Sequence, residues 1–247
     1  MSPSSKTKVA IIAALEREVS PLIKNWNRVQ QNHEGRSFIF FERADTVIIC
    51  GGIGAQAARR AAEAVIALYH PSLVQSVGFA GALDATLHIG DIFTPSRVLD
   101  ARDGSRVQLA GAEGALITFM SVAGAQQKAK LAQAYDARAV DMEAAAVAAA
   151  AGAHGIPFAA IKVISDELNF EIPAMSAFID TEGRFQTMNF TFFALLRPWL
   201  WPRLVALARH SSKASRALSA HLESLCDQLQ LVAAVSSPTA LPTGGRK

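Results

Sequence analysis

Short apolar runs bounded by turn residues alternate with longer segments of helical composition along most of the chain. Val9 to Leu15 is the first such run, and Glu16-Arg17-Glu18 closes it before a helix predicted over Val19 to Trp26. Ser37 to Phe41 and Thr46 to Cys50 read as two strands of a hairpin turning near Ala44-Asp45. A glycine-rich turn, Gly51-Gly52-Ile53-Gly54, leads into a helix from Ala55 to about Tyr69. Pro71 restarts the chain, and Val74 to Val77 is a short strand opening into Gly78-Phe79-Ala80-Gly81-Ala82. Beyond the Gly90-Asp91 turn, Ile92 to Leu99 reads as a strand and Arg102 to Gly114 as a polar surface loop. Ala115 to Val122 reads as a strand and Gln126 to Tyr135 as a short helix. Strands alternating with helices predict an α/β fold with a mostly parallel sheet flanked by helices.

The stretch from Ala139 to Asn169 organises this pattern. From Asp141 to about Ala153 it is almost all alanine, the strongest helix former, and Gly155 followed by Pro157 is a stop signal. Phe158 to Ile164 is apolar except for Lys162, which suits a strand buried on both faces. Ser165-Asp166-Glu167 follows at once. Ligands of open α/β sheets bind off the carboxyl ends of strands, so Asp166 stands where an acid can do chemistry. Asp141 and Glu143 begin the alanine helix. A helix amino end favours negative charge, so these two read either as first-turn acids or as site residues.

The carboxyl third differs. Asn189 to Ala208 is strongly apolar and aromatic, but Arg197, Pro198, Pro202 and Arg203 interrupt it and argue against a simple transmembrane helix. Basic, amphipathic helical character continues through Arg209, Lys213 and Arg216. Two readings stand: helices packed on the sheet or on a second subunit, or a surface that touches lipid or an apolar substrate. Residues 1–235 read as a single domain with this apolar helical part at about 186–232, and 236–247 read as a disordered tail.

Composition narrows the classes. Hydrophobic residues make up 51% and charged residues 18%, which describes a well-buried globular chain. A net charge of +3 is too small to argue for nucleic acid. Cys50 and Cys226 lie far apart without disulfide or zinc spacing, so a reducing, cytoplasmic setting is expected. The apolar run near the amino end is too short for a membrane span and lacks a signal-peptide cleavage site. The histidines show no metal-ligand spacing. Gly52-x-Gly54-x-x-Ala57 follows a strand and opens a helix, as a dinucleotide fingerprint does. The acid that such a site needs about twenty residues later is missing from Leu73-Val74-Gln75-Ser76.

Four segments taken together resemble the nucleoside phosphorylase and nucleosidase superfamily. They are Ile12 to Val19, Gly51 to Gly54, Gly78 to Leu83 with Gly90-Asp91, and Val140 to Ala144 with Ile164-Ser165-Asp166; their order and spacing cover most of residues 8 to 170. The pattern is most similar to methylthioadenosine and S-adenosylhomocysteine nucleosidases, and the carboxyl part resembles the hopanoid-associated phosphorylase-like proteins. The resemblance implies a three-layer α/β/α fold around a central mixed, mostly parallel sheet, assembled as a homodimer or larger. It implies a small-molecule nucleoside substrate and no cofactor, with inorganic phosphate as co-substrate in the phosphorolytic alternative. Asp166 matches the acid that protonates the leaving base, with Ser165 holding its carboxyl. Glu18 matches the water-activating carboxylate, Glu143 the ribose acceptor and Met142 the residue lying against the sugar. Asp141, Gly54, Phe79 and Lys162 complete the expected substrate-binding set.

Departures from the pattern bear on the nucleophile. Phe79 stands where many members have a serine, and Lys162 replaces an arginine four positions before the acid, losing the planar fork. Ser76 occupies the place of a phosphate-holding arginine. These losses favour water over phosphate, although Arg17 or Arg97 would supply an anion site. The loop between Asp100 and Ala115 is shorter than in the nucleosidases, which leaves the sugar 5′ side open to a bulky or apolar group. The expected function is a purine nucleosidase acting on an adenosine-like nucleoside with a 5′ substituent. The alternatives are a phosphorylase acting on a lipid-linked nucleoside such as adenosylhopane, and a non-catalytic nucleoside-binding protein, with peripheral membrane contact left open.

Overall fold

The computed structural model describes residues 9–111, 113–170 and 197–235, with 178, 180, 182, 183, 186 and 190; for 228–235 only the backbone is described. Strands are β1 (Val9–Ala13), β2 (Asn27–His33), β3 (Arg36–Arg43), β4 (Thr46–Cys50), β5 (Leu73–Ala82), β6 (Ile92–Phe93), β7 (Arg97–Asp100), β8 (Arg106–Gln108), β9 (Ala115–Thr118), β10 (Ala137–Asp141) and β11 (Phe158–Asp166). Helices are α1 (Glu16–Ile23), α2 (Ala55–Tyr69), α3 (Ala125–Tyr135), α4 (Ala144–Ala153) and α5 (Trp201–Val235). The strands form one mixed sheet in the order β2-β3-β4-β1-β5-β10-β9-β7-β8, with β11 against β5 and β6.

The sheet forks at β5. Its first half pairs parallel with β1, its far end pairs antiparallel with β10, and β11 runs parallel beside nearly its whole length. At Gly81 the three strands meet: Gly81 is in register with Val140 of β10 and with Asp166 of β11. The carboxyl ends of β10 and β11 therefore arrive at one place, a switch point of the kind where α/β sheets hold ligands.

Alternation along β1 sends its side chains to opposite layers. Val9, Ile11 and Ala13 pack with Val19 and Leu22 of α1 and Leu218 and Leu222 of α5. Ala10 and Ile12 pack with Ala58, Ala61 and Val65 of α2 and Val147 and Ala151 of α4. The result is a three-layer α/β/α arrangement. Alanine lets α2 and α4 lie close to the sheet: a Cβ at Gly51 would fall 2.4 Å from the Cβ of Ala61.

Several elements differ from the sequence reading. β2 was not expected, because Asn27–His33 is polar and mostly exposed, an edge strand with little apolar signal. β5 runs on to Ala82 because β10 and β11 hold its glycine-rich end by backbone pairing. The run Ile92 to Leu99 splits into β6 and β7, and the loop after Arg102 contains the exposed strand β8. Ala115 to Val122 stays extended only to Thr118. α1 begins at Glu16, before Val19. Asp141 ends β10, and the alanine helix starts at Ala144 with Glu143 as its N-cap.

Of the carboxyl part, α5 is one continuous helix that packs on α1 and β11. Residues 189 and 191–196 of the apolar segment and the expected tail at 236–247 lie outside the described residues. Among the described residues, no helix is long and apolar enough to cross a membrane.

Because Leu218 is fully buried between α1 and the sheet, Leu218→Ala is expected to cost about 2–5 kcal/mol in urea unfolding. Val205→Ala, at a half-exposed position on the same helix, should change stability by less than about 0.5 kcal/mol.

Candidate active site

One cleft at the switch point gathers most of the predicted residues. Glu18, Phe79, Asp141, Met142, Glu143, Ser165 and Asp166 all line it. It spans about 870 Å³ including its open mouth. Ser121, Val122 and Ala123, at the end of β9, form part of the wall. Gly54 and Lys162 do not line it, and their contacts explain what each does instead.

Asp166 ends β11 with both carboxylate oxygens engaged. The Ser165 hydroxyl donates to Oδ1 at 2.7 Å, and the ammonium of Lys128, from α3, donates to Oδ2. Lys128 also donates to the Glu167 carbonyl at 2.7 Å. The side chains of Lys128 and Asp166 are 1% and 7% exposed, so this is a buried ion pair. Gly81 makes room for it, since a Cβ there would lie 2.8 Å from Asp166 Oδ2 and 3.1 Å from Lys128 Cε.

Sequence reasoning missed Lys128, which falls inside a helix otherwise read as ordinary. The available signal was position: Lys128 shares a helical face with Leu131, the buried face of α3. A lysine on a buried face needs a partner, because an isolated buried charge is costly.

Glu18 stands in the first turn of α1 and folds back on the helix start. Its Oε2 accepts from the Ala14 and Leu15 amides at 3.1 and 3.3 Å. Burial raises its pKa above the ordinary 4.5, outweighing the Lys162 charge and these amides, which lower it. Gly78, at φ +139°, clears the space: a Cβ would lie 2.7 Å from Glu18 Oε2.

Asp141 stands at the end of β10, ahead of the first turn of α4. Its carboxylate accepts from the Ala144 amide at 2.8 Å and so caps α4, and it also accepts from the Thr118 hydroxyl at 2.6 Å. Lys162, 1% exposed, pairs with the same carboxylate at 2.9 Å and donates to the Ser76 hydroxyl at 2.9 Å. Lys162 is therefore beneath the cleft wall, committed to Asp141.

Glu143 reaches across to the glycine turn. The Gly54 amide donates to its Oε1 at 2.7 Å, and the Met142 amide to Oε2 at 3.2 Å. That contact is what the Gly52-x-Gly54 turn does here, with Gly54 at φ +92° opening α2. Burial first, then the Asp141 charge, pushes the Glu143 pKa up to about 8.

Arg17 lines the cleft, whereas Arg97 is turned to Asp136 at 3.1 Å and does not. His154, at the end of α4, pairs with Glu63 of α2 at 3.0 Å. Among the described residues no group of three or more His, Cys, Asp or Glu side chains is placed to hold a metal.

The model of the phosphorylase superfamily matches residues 8–117 and 113–198. The chain belongs to that superfamily. Membership makes it an enzyme of the N-glycosyl hydrolase or phosphorylase kind. A 5′-methylthioadenosine/S-adenosylhomocysteine nucleosidase of Shewanella sp. (strain W3-18-1) is 30% identical over 205 residues, 67% of this chain and 88% of that protein. One from Staphylococcus epidermidis is 27% identical over 198 residues, 65% of this chain and 87% of that protein. Among solved structures, the Helicobacter pylori nucleosidase of the same name superposes with a TM-score of 0.67 at 16% identity, covering 91% of this chain and all of that one. A futalosine hydrolase from the same organism superposes at 0.62 with 15% identity, covering 89% and 98%. These likenesses support the fold.

Two outcomes follow from the packing of the acids. Glu143 holds its proton in the folded chain up to about pH 8, while the unfolded chain releases it near its ordinary 4.5. Its stabilising contribution is full below the lower value and is lost as pH rises through the upper one. Melting temperature should therefore fall between about pH 5 and pH 8, and Glu143→Gln should flatten that slope. Gly78→Ala, which sets a methyl group against the Glu18 carboxylate, should lower stability by about 1–3 kcal/mol in chemical denaturation.

Proposed function

We propose that this protein is a hydrolytic purine nucleosidase that cleaves the base from an adenosine-like nucleoside carrying a 5′ substituent. The observation that carries this reading is the convergence of Glu18 and Asp166, from opposite ends of the matched segment, on one cleft. The names of the relatives support the substrate class.

The reaction breaks an N-glycosidic bond through an oxocarbenium-like sugar, so the base needs a proton and the sugar needs a nucleophile. Asp166, held by Ser165, delivers the proton to the base nitrogen. Glu18, with its pKa raised by burial, takes a proton from the attacking water. Glu143, oriented by the Gly54 amide, accepts hydrogen bonds from the ribose hydroxyls, and its negative charge, when present, steadies the cationic sugar. Met142 and Phe79 supply apolar wall to the cleft for a flat, partly apolar substrate.

Water is favoured over phosphate as nucleophile by two side-chain commitments. Ser76 and Lys162, at positions where phosphorolytic relatives would place anion-binding arginines, bond each other in the core, and neither lines the cleft. Arg17 remains as a cation at the cleft.

One observation favours a lipid-linked nucleoside as a second reading. An apolar groove between α1 and α5, lined by Pro21, Leu204, Leu207 and Ala208, shares Arg17, Leu207 and Ser211 with the cleft. It continues the space available to a sugar substituent and would accommodate an alkyl chain.

Adenine release from methylthioadenosine, S-adenosylhomocysteine and a 5′-alkylthioadenosine, with and without phosphate, tests these readings. Release without phosphate is expected, and a strict phosphate requirement would move the assignment to a phosphorylase. Asp166→Asn and Glu18→Gln should each lower kcat by about 10²-fold or more with the fold intact. Ligand binding that survives Asp166→Asn, with no turnover in either form, would make the protein a binder instead.

A further inference from the structure

Both oxygens of the general acid in the reading above are already engaged by neighbouring donors. Asp166 accepts from Ser165 on Oδ1 and from Lys128 on Oδ2, so it is arranged as a carboxylate. The protons at this end of the cleft are on the Lys128 ammonium, which lines the cleft itself. That ammonium has three N–H donors, of which one meets Asp166 Oδ2 and another the Glu167 carbonyl.

The other acids of the cleft have partners of their own. β5 faces the Lys128–Asp166 pair with Phe79, Ala80 and Gly81, and α5 contributes Leu207 and Ser211 to the cleft. The other titratable side chains of the cleft are Glu18 and Arg17 from α1, and Asp141 and Glu143 from the end of β10. Asp141 is taken by Lys162, and Glu143 and Glu18 are bonded to backbone amides. Lys128 has Asp166 as its charge partner.

We propose that Lys128 is the proton reservoir of Asp166, resting on the nucleosidase reading above. As the glycosidic bond breaks, its electron pair passes to the base, and Asp166 gives that base a proton while drawing one from Lys128 Nζ. Asp166 ends the step as the carboxylate it began as, and Lys128 ends as a neutral amine. Water forms the new bond to the sugar and leaves its proton on Glu18. After the products leave, the proton on Glu18 is lost to solvent and Lys128 regains one, so the net reaction is nucleoside plus water giving base plus sugar. Lys128 acts through Asp166 and is a positioning and proton-supplying residue.

The purpose of such a device is a wide working range. A lone buried carboxyl group stops serving as an acid once pH passes its own pKa, whereas an ordinary lysine keeps its proton to about pH 10. Arginine keeps the positive charge but does not release a proton, and glutamine keeps a hydrogen bond without either.

The test is the pH profile of kcat for adenine release by the intact protein and by Lys128→Gln and Lys128→Arg, with melting temperatures recorded for each. The unaltered protein should hold its kcat to about pH 8.5. Both variants should lose about 30-fold or more there, yet stay within about 3-fold near pH 5.5, where solvent, about a thousandfold richer in protons, replaces the lysine as the source. KM should change little. A loss of equal size at every pH would overturn the proposal, because that is what a purely structural lysine predicts. Full activity of Lys128→Arg at pH 8.5 would also overturn it, since charge alone would then suffice. If Lys128→Gln does not fold, Lys128→Arg decides. If the unaltered protein releases no adenine at any pH, the nucleosidase reading itself has failed and this inference falls with it; a flat loss in the variants of an active enzyme removes this inference alone.

Discussion

Two buried lysines each meet a buried aspartate beside the cleft: Lys128 with Asp166, and Lys162 with Asp141. Charges in a low-dielectric interior persist only when paired and hydrogen-bonded, so these two contacts constrain everything around them. They leave the two glutamates of the cleft, Glu18 and Glu143, without a full counter-charge. Burial pushes both toward the neutral form, and the nearby Lys162 charge only partly offsets it. The division of labour among four carboxylates thus comes from which of them the lysines reach. An acid pinned by a cation and a serine faces one side of the cleft, and acids tuned toward neutrality face the rest.

The backbone makes that arrangement possible. Gly78 and Gly81 lie on β5, one against Glu18 and the other against the Asp166 pair. A side chain at either position would occupy the space that an acid needs. The same strand changes partners from β1 to β10 along its length, which brings Val140 and Asp166 to Gly81 in register. The fork in the sheet and the two missing side chains are parts of one device: the fork brings the strand ends together, and the glycines let the acids in.

The carboxyl helix links this device to the substrate. α5 packs on α1 and β11 through Leu218 and Leu222, and its earlier turns supply Leu207 and Ser211 to the cleft. One helix therefore serves as core on its inner face and as a boundary of the ligand space near its start. The apolar passage between α1 and α5 opens beside these turns.

Much of the fold could be read in the chain. Apolar runs such as Val9 to Leu15 and Phe158 to Ile164 announced buried strands because burial on both faces demands continuous hydrophobicity. Asp166 was singled out by its position after a strand, and Glu18 and Glu143 by the resemblance to the superfamily. The polar edge strand β2 carried no comparable pattern, since one row of backbone pairing sufficed to hold it. The reach of β5 to Ala82 was invisible because it depends on partners distant in sequence. The glycine turn at Gly54 looked like a ligand-binding loop, yet its amide meets Glu143, a residue from another part of the chain. Lys128 was concealed for the same reason: its partner, Asp166, belongs to a strand that only folding brings to α3. By itself the sequence determined most of the buried strands and the helices, and placed acids near strand ends, because those follow from local periodicity and turn chemistry. The tertiary structure decided which charges face each other, and therefore which acids hold protons, because pairing and burial are properties of neighbours in space.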